Sequence, residues 1–196
     1  MRESLTLPAP AKLNLFLHIL GKRKDNYHNI QTVFHILELA DQLTFSSTND
    51  NSIIIDAKNA NISLEDNLVY KAASQLQQRA SRQAGCYITL EKNIPIGGGL
   101  GGGSSDAATT LLALNKLWEL NLELSELCII GKNLGADVPV FIHGYSAWGE
   151  GIGEQLSPIS IPTKYYVILK PNCYINTKDL YQHSQLKRNS KKINRK

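Results

Sequence analysis

Residues 95–109 read PIGGGLGGGSSDAAT, and six of the seven positions from Gly97 to Gly103 are glycine. Glycine loses more backbone freedom on folding than any other residue, so such a run persists only where the chain needs bare backbone. Its flanks say what for. Before it, Cys86–Glu91 has the composition of a strand. After it, Ala107, Ala108, Leu111, Leu112, Leu114, Leu117 and Trp118 recur at helical spacing from Ser105 onward. Ser104 or Ser105 is a natural N-cap for that helix, and Asp106 then falls in its first turn, where negative charge suits the dipole. A flexible linker would not abut a strand on one side and a capped apolar helix on the other. Glycines leading into a helix N-terminus let backbone N–H groups approach an anion without interference from Cβ, which makes a phosphate cradle.

The type of cradle is narrowed by what is missing. Gly97, Gly99 and Gly102 satisfy GxGxxG formally, as any glycine-rich run does. A dinucleotide-binding unit also wants an acidic residue at a strand end about 20 residues on. Glu119 lies near that distance, but inside the helical or turn-like LWELNLELSEL. No Gly-Lys-Ser/Thr follows the run, so it is not a Walker A loop.

The chain has 196 residues, 42% hydrophobic and 19% charged, which fits one medium packed domain or one domain with an incomplete second. Ala11–Leu20 is the most apolar N-terminal stretch, but Lys12, Asn14 and His18 exclude a signal core or a membrane span. Cys86, Cys128 and Cys173 are far apart and form no metal-ligand spacing. Reduced thiols and a cytoplasmic protein are expected. The formal charge of +4 belongs to the tail: residues 187–196, KRNSKKINRK, hold six bases and no acid, and without them 15 basic residues face 17 acidic ones. Such a tail can bind nucleic acid, but no aromatic residue interleaves with the charges, and a solvated tail accounts for it more simply.

Along the chain, Leu13, Leu15, Leu17 and Ile19 alternate with Lys12, Asn14, Phe16 and His18, predicting a strand with its leucine face buried. The loop Gly21–Asn29 follows. Strands are predicted at Ile30–Leu39 and Gln42–Ser46, the latter paired with Ser52–Ala57 across the turn Thr48–Asn51. Asn67–Arg82 has helical spacing, and a short helix over Ser125–Leu134 should stop at Gly135. Val138–His143, Ser146–Gly149 and Tyr165–Lys170 read as extended or short elements. Strands in groups with helices between them indicate an α+β fold.

Three segments carry chemistry together: PAKLNLFLHILGKRKDNYH from Pro10, the glycine run, and LGADVPVFIHG from Leu134. In this order they resemble the GHMP kinases (galactokinase, homoserine, mevalonate and phosphomevalonate kinases). Within that superfamily they are most similar to the enzymes that phosphorylate a CDP-linked methylerythritol in non-mevalonate isoprenoid biosynthesis. The likeness runs from residue 8 to about residue 171. It implies a GHMP-kinase N-terminal domain of the ribosomal protein S5 domain 2-like type over residues 1–160. Residues 161–182 would begin a ferredoxin-like C-terminal domain, mostly missing, and residues 183–196 would be a disordered basic tail. The patternless ending is expected to reflect a truncated or frame-shifted reading.

The resemblance also implies roles. Asp137, which alone reads as a loop residue capping a turn, matches the family's base. Lys12 matches its lysine partner, which would keep that carboxylate ionised and add charge near the transferred phosphoryl group. Asn14, Tyr27 and His28 match substrate contacts, the ring stacking on cytosine and the histidine meeting its edge. ATP would lie on Pro95, Ile96, Gly97, Gly98, Gly99, Leu100, Gly101, Gly102, Gly103, Ser104 and Ser105, carried as the Mg²⁺ complex, although no carboxylate cluster marks a metal site. The partner is a small CDP-alcohol, with no membrane, and nucleic acid is disfavoured. Three other readings stand beside this one: another GHMP small-molecule kinase, a nucleotide-binding remnant without catalysis, and a nucleic-acid-binding module, since related folds bind RNA and the tail is basic.

Overall fold

The computed structural model describes residues 4–58, 63–81, 83–171 and 177–194. Two long strands dominate it. β1 (Ser4–Lys22) and β2 (His28–Thr48) pair antiparallel along almost their whole length. β2 is the axis of the sheet. One of its edges pairs with β1, while the other pairs first with β5 (Ala147–Glu150) and then with β4 (Gly85–Glu91). β3 (Ile53–Lys58) extends the sheet beyond β4, and β6 (Gln155–Pro158) extends it beyond β5. The two strands predicted at Ile30–Leu39 and Gln42–Ser46 are thus one strand, and β6 had no counterpart in the prediction.

The predicted pairing of Ser52–Ala57 with Gln42–Ser46 is corrected. β3 runs parallel to β4, and β4 takes the place beside β2. The turn at Thr48–Ser52 still forms, because Asp50 Oδ1 accepts from Thr48 Oγ1 (2.8 Å), Ser52 Oγ (2.6 Å) and Ser52 N (3.0 Å). It redirects the chain across β4 instead of closing a hairpin.

One face of the sheet carries the core. Phe34, Leu43, Phe45, Ile88 and Leu90 pack against α1 (Leu68–Gln77) and α2 (Gly102–Leu117), which bring Leu76, Leu111 and Leu114. α3 (Leu124–Leu134) and the short α4 (Val138–His143) complete this layer. α1 is capped by Asn67, whose Oδ1 accepts from Val69 N at 2.9 Å. It ends at Gln77, short of the predicted Arg82, which lies outside the described residues, as does Cys173. α3 opens with a reciprocal capping box between Glu123 and Glu126 and stops at Gly135, as its sequence predicts. Val138–His143 is helical, with Pro139 in the first turn and Gly144 at φ +70° closing it.

The leucine face of β1 is buried only in part: Ile19 is buried and Leu13 packs with Ala11, Ile94 and Leu100, but the middle of the face is not covered. Leu15 and Leu17 are 43% and 41% exposed. Register shifts between Pro10 and Lys12, between Asn14 and Leu17, and between Ile19 and Gly21 break the two-residue alternation. Past the first shift Ala11 and Lys12 are both buried, and Phe16 leans on Trp148 with ring centroids 5.4 Å apart. The bulges therefore turn the lysine face inward.

Candidate active site

The glycine run leaves β4 and returns as α2. Gly97, Gly99 and Gly101 have φ of +73°, +72° and +74°, whereas Gly98 and Leu100 lie outside the left-handed region. Alternation of this kind turns successive N–H groups toward one concavity, an anion nest. Leu100 anchors the loop by packing with Ala11 and Ile94, and its carbonyl accepts from Lys12 N at 2.9 Å. Gly101 is required twice over. Its φ is left-handed, and a Cβ there would stand 2.7 Å from Phe141 Cζ and 3.1 Å from Lys12 Cγ.

The helix cap differs from the expected one. Gly101, not Ser104 or Ser105, is the N-cap of α2, and the first turn holds no acid. Ser105 N donates to Gly101 O at 2.8 Å, so the N–H groups before it have no acceptor within the helix. Ser105 is fully buried, its hydroxyl without a hydrogen-bond partner, so its side chain belongs to the helix packing and not to the cleft.

Asp106 is likewise turned inward. Lys92 Nζ bonds Asp41 Oδ2 and, at 2.7 Å, Asp106 Oδ2, while Asp41 Oδ1 accepts from Asn93 N (2.5 Å) and Ile94 N (2.8 Å). One buried cation serves two buried carboxylates. Burial pushes Asp106 up to about 7, against the pull of Lys92 and with a push from Asp41. This triad ties β2, the end of β4 and α2 together beneath the glycine loop. No motif search points to it, because its members lie 51 and 14 residues from Lys92 in sequence. A cleft of about 470 Å³ runs from Asp66–Val69 at the start of α1, past Lys92 and Ile94, to the glycine loop.

At the other end of that loop the sequence-predicted catalytic residues meet. Lys12, 5% exposed, places Nζ 3.2 Å from Asp137 Oδ2 and donates to Asn14 Oδ1 at 2.5 Å. Asn14 Nδ2 donates to Thr32 Oγ1 (2.8 Å), which donates to Phe16 O (2.6 Å). Asp137 occupies the N-cap position of α4, yet its side chain makes no capping bond, so the turn-capping role read from sequence is not the one it plays. Its carboxylate is about one third exposed.

The DNYHN loop is a turn held by Asp25, which accepts from Tyr27 N at 3.1 Å and pairs with Arg23 at 2.9 Å. Asn26 supplies its left-handed residue, φ +66°. Tyr27 projects outward, 57% exposed, and His28 is buried at the start of β2. Two contacts of His28 come from residues that sequence reading passed over. The ring of Tyr181 on α5 (Thr177–Gln182) lies 5.3 Å away, tilted by 31°, and Arg188 Nε donates to His28 Nε2 at 3.1 Å. Burial, then Arg188 and Lys22, holds His28 below its usual pKa. Burial raises the pKa of the Tyr181 hydroxyl, and the charge of Asp137 adds to that. Nothing in the spacing of TKDLYQHSQLKR announces either residue.

Among the described residues no group of three or more His, Cys, Asp or Glu is arranged to hold a metal ion, and no helix is long and apolar enough to cross a membrane.

Residues 67–145 match the family model described as the GHMP kinases N terminal domain. A 4-diphosphocytidyl-2-C-methyl-D-erythritol kinase of Tolumonas auensis is 47% identical over 192 residues, covering 98% of this chain and 67% of that protein. The crystal structure of a 4-(cytidine 5'-diphospho)-2C-methyl-D-erythritol kinase superposes with a TM-score of 0.71 at 40% identity, covering 81% of this chain and 56% of that one. The Methanococcus jannaschii mevalonate kinase shares the fold at 16% identity, with a TM-score of 0.60. The chain thus spans about two thirds of the length of its curated relatives, and it belongs to the 4-diphosphocytidyl-2-C-methyl-D-erythritol kinase family within the GHMP kinases.

Proposed function

We propose that this chain transfers the γ-phosphoryl group of ATP to a hydroxyl of 4-diphosphocytidyl-2-C-methyl-D-erythritol, a step of non-mevalonate isoprenoid synthesis. The observation that carries this reading is the Lys12–Asp137 pair, 3.2 Å apart, beside the glycine nest. Asp137 takes the hydroxyl proton as the acceptor oxygen bonds to the γ-phosphorus and ADP leaves with the bridging oxygen. Lys12 pairs with Asp137 and adds positive charge where the transferred group becomes most negative. Asn14, held by Thr32 and Lys12, orients the acceptor end of the substrate.

The N–H groups of Gly97 and of Gly99 to Ser104 bind the triphosphate, while Gly98 N closes the loop by donating to Pro95 O at 3.3 Å, with Ile96 at its entrance. The apolar slot between Leu68, Val69 and Ile94 receives the adenine. Mg²⁺ carried on the triphosphate would neutralise part of its charge. The cytosine lies against Tyr27, His28 and Tyr181.

A binding-only remnant has one observation in its favour. Tyr165, Val167 and Leu169 are 100%, 90% and 87% exposed, a strand-like run without a sheet. A coupled ADP-release assay with ATP and the CDP-alcohol separates the two. ADP release dependent on the CDP-alcohol supports the kinase, whereas saturable binding of both nucleotides without turnover supports the remnant.

A further inference from the structure

The guanidinium of Arg188 is bound on every side. Nη2 donates to Tyr181 O and His183 O, both at 2.9 Å, Nη1 donates to Leu186 O at 3.1 Å, and Nε donates to His28 Nε2 at 3.1 Å. The first three contacts fold residues 181–186 into a tight loop, helped by Leu186 N donating to His183 O at 3.1 Å. The rest of the tail is also fastened. Ser190 N donates to Ile19 O (2.9 Å), Gln31 and Ile193 exchange two bonds (3.2 and 2.8 Å), and Lys192 pairs with Glu150 at 3.2 Å. Arg188 thus meets His28 from a held position.

A guanidinium has donors and no acceptor. The nitrogen it faces must present a lone pair, so Nε2 carries no proton and the neutral imidazole carries it on Nδ1. Imidazolium is excluded by the same contact, since both of its nitrogens are donors. Nε2 is also used up, which leaves Nδ1–H as the imidazole's hydrogen-bonding group for a ligand. Cytosine has an acceptor at N3, whereas uracil has N3–H there. A fixed donor suits the first and opposes the second, while a histidine free to change tautomer would serve both.

We propose that Arg188 is a positioning residue for base selection: it locks His28 as the Nδ1–H tautomer and so makes the site prefer cytosine over uracil. The proposal rests on the base-binding role given to His28 above. Such locking is the logic by which outer hydrogen bonds set the tautomer of working histidines elsewhere.

The test pairs a spectroscopic reading with a binding ratio. Nitrogen-15 chemical shifts and two-bond couplings of the His28 ring are recorded in the full chain and in R188A, R188K and K192A. CMP and UMP are titrated onto each. The full chain and K192A, which removes a tail charge without touching His28, are expected to show the Nδ1–H pattern and to favour CMP. R188A is expected to populate the Nε2–H tautomer and to narrow the CMP:UMP ratio about tenfold, the worth of one correctly matched polar contact. If R188A does not fold, R188K carries the test, because in every folded variant tautomer and ratio must change together. A ratio that falls while the tautomer holds, or holds while the tautomer changes, overturns the proposal. So does an Nε2–H or doubly protonated ring in the full chain, or a K192A ratio as low as that of R188A. A correct tautomer with no CMP preference in the full chain instead fails the base-site reading, and the selection role falls with it.

Discussion

Lys12 is the residue on which most of the site converges. Its backbone N–H holds the glycine loop through Leu100, and its ammonium joins Asp137 and Asn14. Lys12→Ala removes the ammonium but leaves the backbone bond, and Asp137 is exposed enough to stay hydrated. We expect kcat to fall about 10²- to 10³-fold, the usual cost of one preorganised charge contact, with little change in melting temperature. Steady-state kinetics beside thermal unfolding checks this, and a variant that unfolds would count against the assignment. Asp106 has a different signature. Its native carboxyl holds a proton up to about pH 7, while the unfolded chain releases it near 3.8. Between those values the native state binds more protons, so this group's contribution to stability falls as pH rises and levels off above 7. Asp106→Asn should remove that slope, which melting curves from pH 5 to pH 8 will show.

At the scale of elements, the glycine loop offers a paired comparison. Gly99 and Gly101 share the left-handed conformation, but a Cβ at Gly99 meets nothing within 4 Å whereas one at Gly101 strikes Phe141. Gly99→Ala should cost about 1 kcal/mol of conformational strain. Gly101→Ala should cost on the order of 2–4 kcal/mol and weaken ATP binding as well, because the clash moves Lys12 and the α4 side of the cleft. Denaturant unfolding of both variants decides it; equal losses would show that strain alone governs the loop. This loop was legible in sequence because its requirement is local: glycine, then helix. The bodies of α1, α2 and α3 were legible for the same reason, their periodicity lying within one segment, although the α2 cap at Gly101 and the end of α1 were not. The bulges that turn Lys12 inward were not, since they arise from the register between β1 and β2. Nor was the parallel pairing of β3, which depends on β4 arriving later to take the place beside β2. Lys12 and Asp137, which the structure pairs, were singled out only through their motifs, and the Lys92 triad, Tyr181 and Arg188 have no motif to single them out.

For the whole molecule, the long β1–β2 pair runs from Lys12, beside the glycine loop, to His28, so the proposed phosphate and base contacts share one axis. The tail follows that axis, with Arg188 and Lys192 spent on contacts within the chain and not forming a free basic patch. By contrast the run Tyr165–Leu169 exposes alternate apolar residues with high β-propensity. We expect this chain to self-associate with rising concentration and Val167→Lys to reduce it, as sedimentation velocity would report; unchanged association would place the contact elsewhere. The central claim is that Asp137 takes the acceptor proton at a site assembled within this chain. It is tested most directly by single-turnover phosphoryl transfer from ATP to the CDP-alcohol, comparing the full chain with Asp137→Asn. The account predicts retained binding of both nucleotides and a transfer rate lowered about 10²- to 10⁴-fold, the range of a positioned general base. Transfer by Asp137→Asn at a rate equal to that of the full chain would contradict it.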